Sequence, residues 1–190
     1  LRQPGFDGRV IGLDLSRRML REAAARTASF ADRLTLIWQD AEALPFADDT
    51  FDGVTCLEAL EFMPHPAHVL AELVRTLRPG GVLLCTNRVG RHARFLPGRA
   101  LPRSEIERLL EALPLKDVRI RAWQVDYDLV WAVKSGTPRG GGMRPLPQLL
   151  RCPTCRGGLD RASAGFECPA CRRVYPVAED GVIELAAAKR

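Results

Sequence analysis

Short apolar runs alternate with segments of helical periodicity over the first two-thirds of the chain. The apolar runs predict strands at residues 9–14, 34–39, 53–57 and 82–86. Each is short and nearly all apolar, as expected for strands that are covered on both faces of a sheet. Between them, apolar residues at helical spacing predict helices at residues 17–26 and 66–78, with Pro79-Gly80-Gly81 ending the second.

Capping residues and a final pair of apolar runs complete this region. Ser16 is placed to cap the first helix, and Ser104 with Glu107 has the spacing of a capping box for a helix that ends near Leu113. Residues 118–123 and 128–134 predict two more strands that pair as an antiparallel hairpin. The order of these elements predicts an α/β fold, a doubly wound and mostly parallel sheet with helices on both faces.

Acidic residues follow two of the predicted strands. Asp14 ends the first strand and Asp40 follows the second, and the stretch 39–56 then loops into the third strand. Ligands of doubly wound sheets lie beyond the carboxyl ends of the strands. We therefore expect residues 39–56 to line a binding cleft.

Composition places the chain among globular proteins. Its 190 residues are 46% hydrophobic, which is enough for a sizeable core and excludes a disordered or fibrous class. No run approaches the roughly 20 apolar residues of a membrane span, and the N-terminus lacks the apolar core of a signal peptide. Cys56 and Cys85 lie inside apolar runs and are expected to be buried thiols, so we predict a cytoplasmic protein.

Charge adds little to this interpretation. The net charge is +5, and the basic excess lies mainly after residue 134. Arginine outnumbers lysine 25 to 3, which suits either phosphate recognition or a compositional bias of the genome. No partner is inferred from it.

The composition changes after Lys134. Residues 135–148 are nearly all Gly, Pro, Arg and small polar residues, which predicts a linker. Beyond it, two C-x-x-C pairs are separated by 12 residues: Cys152 with Cys155, and Cys168 with Cys171. Four thiolates in this pattern form a closed tetrahedral site for structural Zn²⁺, and disulfides are the competing interpretation. The predicted domains are therefore residues 1–134, the linker 135–148 and an autonomous zinc ribbon at 149–185.

Four motifs in the first domain carry a family resemblance. They are residues 10–16 (VIGLDLS), 40–46 (DAEALPF), 51–52 (FD) and 77–81 (LRPGG). Together they resemble the successive motifs of class I S-adenosylmethionine-dependent methyltransferases, in particular the ubiquinone and menaquinone biosynthesis subgroup. Residues 149–185 resemble the small zinc-ribbon proteins that bind and activate tRNA, rRNA and protein methyltransferases.

The resemblance implies a cofactor site as well as a fold. Asp14, with the adjacent Leu15, matches the acid that accepts hydrogen bonds from the cofactor ribose, and Asp40 matches the residue that faces the adenine amino group. The backbone of Ala41 matches the position beside the adenine ring. Asp14 has a second interpretation, as a turn acid that precedes the Ser16 cap. The cofactors implied are S-adenosylmethionine and structural Zn²⁺.

One motif of the family is absent from residues 1–134, namely the strand and glycine-rich turn that precede the ribose-binding acid. We expect the upstream gene sequence to encode this strand, turn and helix. The alternative is a domain that has kept the scaffold and lost cofactor binding.

The function predicted from the sequence is methyl transfer from S-adenosylmethionine to an unidentified acceptor, with a small molecule favoured over RNA or protein. The alternative is a non-catalytic scaffold in which the ribbon binds a partner. A nicotinamide-dependent dehydrogenase is a weaker third hypothesis, because Asp14 also suits a dinucleotide ribose.

Residues around the third and fourth strands are candidates for the acceptor side. Glu58 and Glu61 either orient the acceptor or are exposed carboxylates, and His65 and His68 are interpreted as cap or surface residues. The loop 88–103 has five arginines and no acid, which suits an anionic substrate or a solvated loop. No catalytic residue is assigned.

Overall fold

The computed structural model describes residues 1, 3–138 and 142–186, apart from the side chains of residues 92 and 94. The strands and helices of this part alternate over its first two-thirds, and the C-terminal third contains short strands. The strands are β1 Val10–Asp14, β2 Leu34–Trp38, β3 Phe51–Cys56, β4 Leu77–Arg88, β5 Leu115–Trp123, β6 Tyr127–Lys134, β7 Asp160–Ala162, β8 Gly165–Glu167, β9 Val174–Pro176 and β10 Ile183–Glu184. The helices are α1 Arg17–Arg26, α2 Pro66–Thr76, α3 Arg103–Glu111 and the single turn α4 Leu146–Leu149.

The chain forms two compact units. The first unit combines Leu1–Pro45 with Arg144–Arg190, and the second unit is Phe46–Met143. These units group the residues differently from the predicted division into 1–134, 135–148 and 149–185. In the predicted linker, the helical turn α4 begins at Leu146, and residues 139–141 lie outside the described residues.

A three-stranded parallel sheet lies in the first unit. β1 pairs with one edge of β2, and β10 pairs with the other edge, with Ile183 opposite Ile37. Helix α1 connects β1 to β2 and has Ser16 as its N-cap, whose Oγ accepts a hydrogen bond of 3.3 Å from the Met19 N–H. Because β10 belongs to the C-terminal segment, the predicted ribbon shares a sheet with the predicted methyltransferase-like domain.

The remaining part of the first unit is a small antiparallel sheet. Its strand order is β7-β8-β9. Gly165 begins β8 with a φ of +151°, and a Cβ built there would lie 2.2 Å from the Tyr175 carbonyl oxygen. Only glycine has access to this backbone conformation, so the position requires it.

A mixed four-stranded sheet forms the second unit. Its order is β3-β4-β6-β5, in which β3 and β4 are parallel and the other two pairs are antiparallel. The helices α2 and α3 contribute apolar side chains to the core of this unit. Buried members of that core are Val69, Leu70, Leu73, Val74, Ile106 and Leu110.

The predicted α/β class is confirmed, and so is the predicted antiparallel hairpin of β5 and β6. Two local predictions are wrong. Helix α2 ends at Thr76, and β4 begins at Leu77 and runs through Pro79-Gly80-Gly81, where Gly80 takes a φ of +82°. Helix α3 begins at Arg103, so Ser104 lies inside the helix, and its N-cap Pro102 makes no side-chain cap.

Within the described ranges, no helix is long and apolar enough to cross a membrane.

Candidate cofactor site, metal centre and acceptor cavity

Both predicted cofactor acids lie at the carboxyl edge of the first sheet. Asp14 ends β1 opposite Trp38 in β2, and Asp40 lies two residues beyond Trp38. The Asp14 Oδ1 accepts a 2.6 Å hydrogen bond from the Ser16 N–H, and the Asp40 Oδ1 accepts a 3.0 Å bond from the Glu42 N–H. Asp14 therefore has the turn role that the sequence suggested. Among the described residues, the second oxygen of each carboxylate has no hydrogen-bond donor.

Leu15 and Ala41 lie directly after these acids. The Leu15 side chain is half exposed, and its carbonyl accepts a 2.9 Å hydrogen bond from the Trp38 indole N–H. Ala41 begins a short 3-10 turn for which Asp40 is the N-cap. The four residues that the resemblance assigns to S-adenosylmethionine thus share one edge of one sheet, and two of them are carboxylates suited to hydroxyl or amino donors.

The cysteine-containing segment hydrogen bonds to the loop that follows Ala41. The Arg151 N–H donates to the Pro45 carbonyl at 2.8 Å, and the Arg156 guanidinium donates to the Leu44 carbonyl at 3.0 Å. Leu44 and Pro45 are both buried. Sequence analysis missed these contacts because they join residues more than 100 positions apart.

The four cysteines of the two C-x-x-C pairs meet in one cluster. Their Sγ atoms all lie within 4.8 Å of one another, and the Cys152–Cys171 and Cys155–Cys168 pairs are 3.6 and 3.4 Å apart. All four are free thiols, which argues against the disulfide alternative. Tetrahedral Zn²⁺ with bonds of about 2.3 Å holds its sulfurs about 3.8 Å apart, so the cluster fits this metal.

Among these four thiols, Cys152 has the surroundings that most favour its thiolate form. It is buried, and its Sγ lies 3.0 Å from the Tyr175 hydroxyl. Burial raises the pKa of Cys152, but hydrogen bonds from Tyr175 and from the backbone N–H groups of Cys155 and Thr154 outweigh it and lower the pKa to about 6. A thiolate is the form that binds a metal.

Glu58 and Glu61 follow β3 and have different surroundings. Glu58 is exposed, as one interpretation of the sequence expected, and its N–H donates to the Thr86 Oγ1 at 2.6 Å. Glu61 is buried, so the interpretation of an exposed carboxylate is wrong for this residue. Its Oε1 accepts a 2.7 Å hydrogen bond from the Tyr127 hydroxyl and lies 3.6 Å from the Arg88 Nη1. His65 and His68 are exposed, as expected.

A cavity of about 520 Å³ that is widely open to solvent lies in the second unit, and Arg88 belongs both to its lining and to the contacts of Glu61. Arg88 at the end of β4 and Arg103 at the start of α3 both line it. The sequence of residues 88–103 predicted a loop with several arginines. It therefore indicated the positive charge of the cavity lining but not that these residues form a cavity.

The fold and these sites define an α/β domain with two acids at one sheet edge, accompanied by a four-cysteine cluster whose geometry suits a metal ion. Two segments of the chain match known families: residues 1–85 match the family described as "Methyltransferase domain", and residues 145–180 match "Trm112p-like protein". Both resemblances predicted from the sequence are confirmed for these segments.

Curated relatives include demethylmenaquinone methyltransferases. That of Symbiobacterium thermophilum is 39% identical over 92 residues, which are 47% of this chain and 37% of the relative. That of Staphylococcus epidermidis is 41% identical over 81 residues, which are 43% and 33% of the two chains. This chain thus spans about a third of the length of these relatives.

Solved structures support the fold. A putative methyltransferase from Bacillus halodurans superimposes with a TM-score of 0.55 at 20% identity, covering 67% of this chain and 84% of that one. A chain from the complex between the Haloferax volcanii Trm112 methyltransferase activator and a putative methyltransferase gives 0.54 at 24% identity, covering 68% and 73%. At these identities the likeness establishes the fold alone.

Proposed function

We propose that the chain is the catalytic part of an S-adenosylmethionine-dependent methyltransferase that carries its own structural zinc ribbon. The observation that carries this proposal is the position of Asp14 and Asp40 at one sheet edge, inside the residues that match the methyltransferase family. When bound, the cofactor supplies an electrophilic methyl group on a sulfonium. The chain would hold the ribose through Asp14 and the adenine through Asp40 and Ala41.

Methyl transfer of this kind depends mainly on alignment, since the leaving group is already good. No general base is therefore required, and none is assigned. A small molecule is the proposed acceptor, in keeping with the small-molecule substrates named for the demethylmenaquinone methyltransferase relatives and with the cavity beside Arg88. RNA or protein is the alternative acceptor.

The zinc ribbon is proposed to stabilise the cofactor loop. Its hydrogen bonds to Leu44 and Pro45, and the pairing of β10 with β2, support this role. Thiolate ligation of Zn²⁺ requires reduced cysteines, so the cytoplasm is the proposed compartment.

The test is equilibrium binding of S-adenosylmethionine by titration calorimetry. It is run on the 190-residue chain and on the same chain extended by any sequence that precedes it in the gene. Asp14→Ala removes an acceptor of charge-assisted hydrogen bonds worth about 1.5 to 3 kcal/mol, so affinity is expected to fall roughly ten- to a hundredfold.

Asp32→Ala is the matched control. Asp32 is an exposed acid before the amino end of β2, at the opposite edge of the same sheet, so its loss removes the same charge away from the site. Affinity that is unchanged by Asp14→Ala would leave Asp14 as a turn residue only. Failure of both chains to bind would favour the non-catalytic scaffold.

A further inference from the structure

The cavity in the second unit has a distinctive lining. Among the described side chains that line it, the ionisable ones are the guanidinium groups of Arg88 and Arg103, and none is acidic. The other lining residues are apolar or glycine: Val89, Gly90, Ala93, Pro97, Gly98, Ala100, Leu101 and Pro102. Such a lining combines a cationic wall with an apolar one, and its volume of about 520 Å³ suits a small organic ligand.

Two buried side chains, those of Tyr127 and Glu61, hold the Arg88 guanidinium in place. Its Nη1 donates to the Tyr127 hydroxyl at 2.9 Å, and its guanidinium lies 5.3 Å from the centre of the Tyr127 ring. Tyr127 in turn donates to Glu61, whose side chain has no exposed surface. Glu61 and Tyr127 thereby fix the plane of the guanidinium without occupying the side that lines the cavity.

Most of the hydrogen-bonding capacity of Arg88 remains unused. An arginine has five N–H donors, and Arg88 hydrogen bonds through Nη1 alone among the described residues. Its Nε is buried and has no hydrogen-bond partner in that part of the chain, and the same is true of the Glu61 Oε2. A buried polar atom without a partner is costly, and the buried Nε is out of reach of a ligand in the cavity. The N–H groups of Arg88 that are left for a ligand are therefore those of Nη1 and Nη2.

Arg103 is oriented in a similar way. Its Nε donates to the Asp128 Oδ2 at 2.9 Å, and its Nη2 donates to the other oxygen of the same buried carboxylate. In both pairs the carboxylate is buried and the guanidinium lines the cavity. The two ion pairs therefore present their positive ends to any ligand inside it.

We propose that this cavity binds the anionic group of the methyl acceptor, a small organic acid with an apolar body, through Arg88 with Arg103 beside it. Glu61 and Tyr127 are positioning residues for Arg88. The identification of the ligand as the acceptor rests on the proposed methyltransferase function. The anion site itself rests only on the geometry of the second unit.

The probe for the test is 3-phenylpropanoate, and 3-phenylpropanamide is its neutral counterpart of similar shape. Binding is measured by titration calorimetry with the 190-residue chain and no S-adenosylmethionine. We expect the acid to bind at least about tenfold more tightly than the amide, since one charge-assisted hydrogen bond separates them.

Arg88→Gln is expected to lower the affinity for the acid roughly ten- to a hundredfold and to abolish the preference over the amide. Arg99→Gln is the matched control, because Arg99 is exposed on the same loop and does not line the cavity. Tyr127→Phe tests positioning. It should reduce the ratio of the two affinities, whereas a purely structural role would weaken the acid and the amide equally.

A second measurement needs no variant and stays informative if Arg88→Gln does not fold. In the unaltered chain, the acid should shift the side-chain Nε–Hε resonance of Arg88 in ¹H–¹⁵N spectra, and the amide should not. Equal affinity for acid and amide, or equal effects of Arg88→Gln and Arg99→Gln, would overturn the anion site. Binding of the acid by a chain that never binds S-adenosylmethionine would keep the anion site and overturn the methyltransferase proposal instead.

Discussion

Single residues in this protein have roles that their local sequence only partly indicates. The pattern before α1 predicted Asp14 as a strand-end acid and Ser16 as a cap, and both lie as expected, because the interactions are local. For Glu61 the sequence left two interpretations open, a residue that orients the acceptor and an exposed carboxylate, and the residue is buried. Its burial depends on Tyr127, which is 66 residues away, and nothing near Glu61 in the sequence encodes that contact.

Arg75 gives a residue-scale prediction in the second unit. Its guanidinium donates to both carboxylate oxygens of Glu72, to the Phe46 carbonyl and to Asp48. The Arg75 and Glu72 side chains are only 20% and 12% exposed, whereas Asp48 is 72% exposed and adds little. Arg75→Met should therefore lower the free energy of unfolding by about 1.5 to 3 kcal/mol.

Denaturant unfolding, followed by a probe in the second unit, measures this change. Arg108→Met is the control, since Arg108 and its partner Glu105 are exposed and their closest approach is 3.8 Å. A loss in Arg75→Met no greater than that in the control would show that the Glu72 pair contributes no net stability.

At the scale of elements, periodicity predicted most helices and strands. The errors occur where a local sequence signal competes with strand pairing. Pro79-Gly80-Gly81 is a typical helix terminator, yet pairing with β3 extends β4 back to Leu77 and places these residues inside a strand. The pairing of β10 with β2 had no signal at all, because a two-residue strand has no period and its partner is more than 140 residues away.

Helix α1 and the C-terminal segment are joined by an ion-pair cluster. Arg17 donates to both oxygens of Asp180 at 3.0 and 3.1 Å and to Glu184 at 3.0 Å, and all three side chains are about a quarter exposed. The hydrogen bond from Arg17 lowers the pKa of Asp180 below its usual value. Arg17→Ala should cost the first unit about 1 kcal/mol at neutral pH, after allowance for solvent screening.

The pH dependence of this loss follows from the lowered pKa. A carboxylate whose pKa is depressed by folding stabilises the fold above its unfolded pKa of about 3.9, and that stability is lost as the pH falls through the lower folded value. The difference between Arg17→Ala and the unaltered chain should therefore be constant from pH 7 to about pH 5 and shrink below about pH 4. Guanidinium chloride unfolding at several pH values checks it, and a difference that grew on acidification would contradict the pairing.

Gly165 tests the antiparallel sheet of the first unit. Gly165→Ala would combine a φ that only glycine adopts readily with a clash against the Tyr175 carbonyl, and each effect costs about 1 to 3 kcal/mol. Gly158→Ala is the control, because a Cβ there would meet no atom within 4 Å. Thermal unfolding of the two variants should separate them, and equal midpoints would mean that β8 can shift to accommodate a side chain.

For the molecule as a whole, the sequence identified both families and the fold class but not the grouping of the segments. The C-x-x-C spacing is local, so the four-cysteine cluster could be predicted. The first unit joins residues from both ends of the chain, and that grouping depends on the pairing of β10 and on the contacts of Arg151 and Arg156. Composition predicted a linker at 135–148, and the second unit ends at Met143, inside that range.

Zinc removal tests this grouping. The C-terminal segment has a small apolar core, and domains of this size usually need a metal, so its folding and metal binding should be one event. Because Trp38 in β2 is the residue whose carbonyl accepts the Leu185 N–H beyond β10, we expect chelation to reduce the hydrogen-exchange protection of Trp38 as well as that of β7 to β9. Elemental analysis should find one zinc per chain, and Cys155→Ser should lose it. Thr154→Ser is the control, since it changes the neighbouring side chain and removes no thiolate. Exchange at Trp38 that is indifferent to chelation would show that the parallel pairing of β10 does not depend on the metal. Full protection of β7 to β9 in the metal-free chain would overturn the zinc assignment.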